Sequence, residues 1–149
     1  MKHLKKRLST ILEGPENNTD VKLEKICHLL DQEIEYFNWT GFYFRNGDKE
    51  ELVLGPYVGA ETDHTVIPFG KGICGQVAVS GETFVVPDVY AQDNYLSCSV
   101  DTKAEIVVPI FKNGKNIGQI DIDSHTHNPF TDEDRETLEW LAVEVAEIL

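Results

Sequence analysis

Positive charge is scarce in this sequence. Lys and Arg number 13 against 26 Asp and Glu, leaving a net charge of −13 over 149 residues. A field of that sign repels nucleic-acid phosphates and anionic lipid, so neither nucleic acid nor a membrane surface is expected as a partner. Long apolar runs are missing too: the longest, around Ile106–Phe111, is about six residues against the roughly 20 a spanning helix needs. The basic cluster Lys2, Lys5, Lys6 and Arg7 precedes no apolar stretch of signal-peptide length, so it reads as the start of a soluble helix, and a cytoplasmic location is expected. Cysteine is also sparse. Three of them, Cys27, Cys74 and Cys98, cannot all pair internally, and cytosolic thiols that are catalytic, redox-active or buried fit better than structural disulfides.

What remains suffices for a core. Hydrophobic residues make up 41% of the chain, and a globule of this size buries roughly 70% of its unfolded surface. Leu4, Leu8, Ile11 and Leu12 recur at helical spacing and stop at Gly14-Pro15. Thr19 or Asp20 can cap a second helix whose stripe is Val21, Leu23, Ile26, Leu30, Ile34 and Phe37. From Trp39 the period changes to two: strands are expected at 39–44, 51–57, 65–68 and 83–86, with a short helix opening at Gly70–Gly75 and running to about Ser80. Residues 89–102 form a long polar loop. Ala104–Phe111 and Asn116–Asp123 then flank Asn113-Gly114, a type I′ hairpin signal. Thr131, with Asp132 and Asp134, opens a last helix striped by Leu138, Leu141, Val145 and Ile148. The order specifies an α+β fold and one domain over 1–149: helices in 1–37, sheet and pocket loops in 39–124, and a helix in 131–149. Apolar stripes on the terminal helices predict a homodimer, although the same stripes can pack on their own sheet.

Cys98 lies in the long loop between Ser97 and Ser99, where a thiol can meet a small substrate; Lys103 is the cation nearby in sequence. Cys74 follows Gly70 and Gly72 at a helix start, either facing a ligand or locking the helix to the sheet. Cys27, on a helical stripe, is expected to be buried and without a role. In Asp121-Ile122-Asp123, alternation puts both carboxylates on one face, roughly 7 Å apart, so at least one pKa is raised if that face is enclosed. Pairing across the Asn113-Gly114 turn, with i + j of about 227, sets Glu105 opposite residue 122 and between the two aspartates. Trp39 and Tyr43 share a face with Gly41 leaving a gap between them, a wall for a flat or methyl-bearing ligand. His125 and His127 lack a third ligand at readable spacing, and the Gly70-x-Gly-x-x-Gly75 spacing lacks a βαβ context. No metal and no cofactor are expected.

Trp39-Thr-Gly-Phe-Tyr43, Leu52-Val-Leu-Gly-Pro56, Ile67-Pro-Phe-Gly-Lys-Gly-Ile-Cys-Gly75, Val86-Pro-Asp-Val89, Glu105-Ile-Val-Val-Pro109 and Ile117-Gly-Gln-Ile-Asp-Ile-Asp-Ser124 together resemble the free methionine-(R)-sulfoxide reductases, single-domain GAF proteins, from about residue 20 to the C-terminus. The resemblance implies a GAF-like antiparallel sheet flanked by N- and C-terminal helices, with a short inserted helix and a long active-site loop. It implies that Cys98 attacks the sulfoxide sulfur and that Cys74 is a second active-site cysteine. Glu105, Asp121 and Asp123 would hold the substrate amine and assist protonation of the sulfoxide oxygen, while Trp39 and Tyr43 surround the methyl end. Free methionine sulfoxide and a thioredoxin-like dithiol are the implied partners. We expect the ligand carboxylate to rest on amides of the Gly70–Gly75 turn. The chain departs from the family's pattern at His64, where most members carry a third cysteine that resolves the sulfenic acid; either Cys74 or an outside thiol then takes that part. A GAF module that binds a small ligand or senses redox state without catalysis is the competing reading.

Overall fold

The fold follows from a switch of period from 3.6 to 2 and back. In the computed structural model, which describes residues 1–96 and 101–149, Lys2–Glu13 (α1) and Thr19–Glu33 (α2) lead into the strands Trp39–Arg45 (β1), Glu51–Val58 (β2) and Val66–Pro68 (β3). Gly72–Ser80 (α3), Phe84–Val86 (β4), Ala104–Lys112 (β5), Lys115–Ser124 (β6) and Asp132–Ile148 (α4) complete the order, with a short 3-10 turn at Val89–Ala91. The six strands make one antiparallel sheet in the order β3-β2-β1-β6-β5-β4. This is the expected α+β, GAF-like arrangement.

The sheet has two unlike faces. On one, Phe42, Ile106, Val108, Ile110, Ile120 and Ile122 pack against Leu4 and Leu8 of α1, Leu23, Ile26 and Leu30 of α2, and Leu138, Leu141 and Val145 of α4. Each such side chain contributes roughly 1.5–3 kcal/mol on leaving water. The stripes that suggested pairing between chains are therefore consumed within this one. The other face is covered by α3 and its flanking loops.

Local chemistry sets the element ends, not always where expected. The α2 cap is Asn18, not Thr19 or Asp20: its extended backbone lets its side chain accept from the Val21 N–H at 3.3 Å. The helix stops at Glu33, so Ile34 and Phe37 are buried beyond its end. Thr131 caps α4 as expected, in a reciprocal pair: its hydroxyl accepts from the Asp134 N–H and its own N–H reaches the Asp134 carboxylate. Asn113 and Gly114 take φ of 53° and 76°, the type I′ geometry. The hairpin register, however, shifts between Ile110 and Phe111. Below that bulge Phe111 pairs with Asn116, above it Ile110 pairs with Gly118, and Glu105 comes to lie opposite Asp123, not residue 122. A one-residue slip moves a side chain to the other face. The bulge is what gives Glu105 the same face as the aspartates.

Candidate active site

A row of four paired residues runs across the second face: Trp39 of β1, Asp123 of β6, Glu105 of β5 and Val86 of β4. The next row on that face places Gly41 beside Asp121 and Asp121 beside Val107. Asp121, Asp123 and Glu105 are 0%, 1% and 2% exposed, so the acidic face is enclosed, not solvated. From above, α3 lowers Cys74 onto it. The Cys74 thiol donates to Asp121 Oδ2 at 3.2 Å, and its sulfur lies 3.8 Å from Glu105 Oε2.

Three carboxyl groups in so dry a place cannot all be charged. Burial, then the neighbouring charges of Asp121 and Asp123, push Glu105 well above its ordinary 4.5, and its hydrogen bonds to both aspartates act in the same direction. Asp121 is also raised by burial, while hydrogen bonds from Glu105 and Cys74 pull it back. Glu105 is thus the member that holds its proton to higher pH, shared with the aspartates as a hydrogen bond. The shared proton is what makes the cluster tolerable.

Trp39 and Tyr43 share the face, stacked at 6.3 Å between ring centroids. The gap expected at Gly41 is not open: a Cβ there would lie 2.6 Å from the Trp39 ring, which folds over the glycine, and 2.7 Å from the Tyr57 Cβ. Tyr57, which the sequence reading left without a role, stacks on Trp39 at 5.2 Å. Trp39 Nε1 donates to the Ala60 carbonyl and the Tyr43 hydroxyl to the His64 carbonyl, so both aromatics tie down the 59–65 loop.

Four amides of the glycine turn already have partners. The N–H groups of Gly70, Lys71 and Gly75 bond within the turn and to Pro68, and the Gly72 N–H goes to Asn94 Oδ1 at 2.8 Å. These four amides are engaged within the fold. Asn94 also donates to the Gly70 carbonyl at 2.7 Å, clamping the turn to the loop after β4. Gln119, buried two residues before Asp121 on the same face, donates to the Cys74 carbonyl at 3.1 Å. Period-two alternation would have found Gln119; nothing local marks Asn94.

Beside Cys74 and Glu105 lies a small cavity of about 10 Å³, also walled by His64, Ile67, Lys71 and Leu96. A far larger groove, about 610 Å³, runs between α4 and the Gly81–Thr83 turn; no thiol lines it, and its carboxylates, Glu82, Glu139 and Glu147, share it with Arg135. The acids and the thiol, not volume, locate the chemistry. Cys74, Glu105, Asp121, Asp123, Trp39 and Tyr43 are brought together as expected; Cys98 lies outside the described residues. Cys27 is buried under α2, and burial pushes its thiol up. His125 and His127 sit in an exposed turn and belong to no cluster of three ligand-bearing side chains among the described residues. No helix among those residues is long and apolar enough to cross a membrane.

A GAF domain model matches residues 22–149. A free methionine-R-sulfoxide reductase of Saccharomyces cerevisiae is 46% identical over 107 residues, covering 70% of this chain and 59% of that protein. The chain thus spans less than two thirds of the yeast relative's length. One from Escherichia coli is 35% identical over 121 residues, covering 81% of this chain and 72% of its own. The crystal structure of a Neisseria meningitidis free methionine-R-sulfoxide reductase in complex with its substrate superposes with a TM-score of 0.92 at 33% identity, covering 99% of this chain and 86% of that one.

Proposed function

The chain belongs to the free methionine-R-sulfoxide reductase family of GAF proteins, and from that premise we propose that it reduces free L-methionine-(R)-sulfoxide to methionine. We read residues 1–149 as one such unit. The observation that carries the reading is the buried Glu105 wedged between Asp121 and Asp123 beside Cys74. A sulfoxide oxygen leaves poorly until it is protonated, and a carboxyl whose pKa is raised by burial and neighbouring acids is the group to supply the proton. Asp121 and Asp123 hold the substrate's ammonium group. The Trp39 ring, backed by Tyr43 and Tyr57, packs the methyl end, where sulfur meets aromatic edges. The cavity of about 10 Å³ is too small for the whole amino acid, so the Leu96 wall yields on binding.

Cys98 is the nucleophile in this reading. Its thiolate attacks the sulfoxide sulfur as Glu105 protonates the oxygen; methionine leaves and Cys98 becomes a sulfenic acid. A second thiol, Cys74 or an outside one, condenses with it to a disulfide and water. A thioredoxin-like dithiol then exchanges with that disulfide, restoring the thiols and closing a cytoplasmic repair cycle. Counting free thiols after one turnover without reductant, in wild type and Cys74→Ser, separates the two recycling routes. A homodimer belongs to the same reading. With the helical stripes consumed internally, the exposed apolar side chains left for it include Val66, Val79, Tyr90, Phe111 and Val143, and light scattering tests it.

The deciding experiment follows consumption of the free R epimer against the S epimer and a peptide-bound sulfoxide, with dithiothreitol as reductant. Turnover of the free R epimer alone is the expected result. No turnover by folded protein with reduced thiols would leave a non-catalytic small-ligand or redox-sensing GAF module as the reading.

A further inference from the structure

The cluster that holds the shared proton has a second capacity. Cys74, Glu105 and Asp121 each offer one ligand atom, and those three atoms lie within 4.8 Å of one another, all buried. A tetrahedral zinc with sulfur at 2.3 Å and carboxylate oxygen at 2.0–2.2 Å has sulfur-to-oxygen edges of about 3.5–3.7 Å. The observed edges, 3.2 Å to Asp121 and 3.8 Å to Glu105, bracket that length. Two further observations point to an ion. Asp121 Oδ1 is wholly buried and has no donor beyond the proton that Asp121 shares with Glu105, a proton that a cation displaces. The adjoining cavity of about 10 Å³, walled by Cys74 and Glu105, has room for roughly one water-sized sphere.

We propose that Cys74, Glu105 and Asp121 form a binding site for a thiophilic divalent cation of the zinc or cadmium class. The cavity walled by Cys74 and Glu105, with His64 also on its wall, is where a further ligand would enter. Thiolate and carboxylate donors together favour zinc and cadmium over magnesium or calcium, which prefer all-oxygen shells. Binding exchanges the Cys74 thiol proton and the proton held at Glu105 for the cation, with no change of oxidation state. The site stands on these distances alone. Its consequence, that the ion occupies the place of the sulfoxide and blocks turnover, rests on the proposed reductase function.

The test is a cadmium titration of the full chain carrying Cys98→Ser, reduced and then freed of reductant, followed by ultraviolet absorption of the cadmium–thiolate bond. That background leaves Cys74 and the remote, buried Cys27 as the available thiols. One cadmium per chain with a charge-transfer band is expected. Adding Cys74→Ser abolishes the band, and Asp121→Asn, close to isosteric, weakens binding at least tenfold while circular dichroism stays native. Absence of the band in the Cys98→Ser protein, or its survival in folded Cys74→Ser, would overturn the site, as would unchanged affinity in Asp121→Asn. If Cys74→Ser does not fold, the Asp121→Asn arm decides alone. None of these readouts needs the protein to reduce anything, so loss of the reductase reading leaves the titration intact.

Discussion

The two faces of the β5–β6 hairpin differ by one step of the chain. Ile106, Ile120 and Ile122 meet three helices and a wholly apolar layer; Glu105, Asp121 and Asp123, their immediate neighbours in sequence, meet a thiol, stacked aromatics and one another. Both faces are equally dry, since all six side chains are no more than 2% exposed. Dryness stabilises the first and strains the second. An isoleucine loses nothing polar on burial, whereas a carboxyl gives up hydration that only a proton or a close donor replaces. The helical face therefore supplies stability, and the site face draws on it. That division assigns opposite consequences to substitutions one residue apart.

The largest contrast is between Ile122→Asn and Asp121→Asn. At residue 122 the change removes buried methyl groups and leaves an amide without partners in an apolar layer, destabilising by about 3–5 kcal/mol or more. Chemical denaturation should show the midpoint collapse. At residue 121 it removes a buried charge with almost no change of shape, so stability holds or rises slightly, while turnover of the sulfoxide falls at least about tenfold. Equal losses of stability at the two positions would break the comparison.

Gly41→Ala sharpens it from within the site face. The added methyl must displace the Trp39 ring or the Tyr57 Cβ, each less than 3 Å away, at about 1–3 kcal/mol of overpacking. The loss should appear in thermal melts together with a shifted Trp fluorescence maximum, because the stacked ring is what moves. A native melt and spectrum would mean the ring yields without consequence.

Much of this division could be read before any coordinates. Alternation in Asp121-Ile122-Asp123 put both acids on one face, Asn113-Gly114 fixed the hairpin turn, and Thr131 marked the last helix; each is a local signal, decided within a few residues. That Glu105 joins the two aspartates was legible, but its partner was not: the bulge between Ile110 and Phe111 leaves no local signature, and one extra residue moves that partner from residue 122 to Asp123. The filled gap at Gly41 was hidden for a similar reason: what fills it is a ring two residues away on the same strand, folded back by a hydrogen bond to Ala60. Asn94 looked like one more polar loop residue until its two bonds to the glycine turn were seen. The three ligand atoms of the proposed cation site come from separate elements, with Cys74 standing 31 and 47 residues from its partners, a spacing no motif carries.

The smallest expected effect is the most specific to the site face. Glu105 ionises near its ordinary 4.5 when unfolded and well above that when folded, and Asp121 is shifted in the same direction from 3.8. Across the window that opens near pH 4.5, the native state holds a proton the unfolded state has released. Stability from this source is therefore complete below the window and declines as pH rises through it. Glu105→Gln keeps the shape and removes the titration. Its melting temperature should match wild type near pH 4 and exceed it by a few degrees near pH 8, at roughly 3 °C for each kcal/mol in a chain of this length. The many surface acids titrate alike in both proteins and cancel in the difference. Parallel melting profiles from pH 4 to 8 would mean that Glu105 is as ionised in the fold as out of it. The site face would then carry its charge some other way, and the proton assigned to the sulfoxide would have no source.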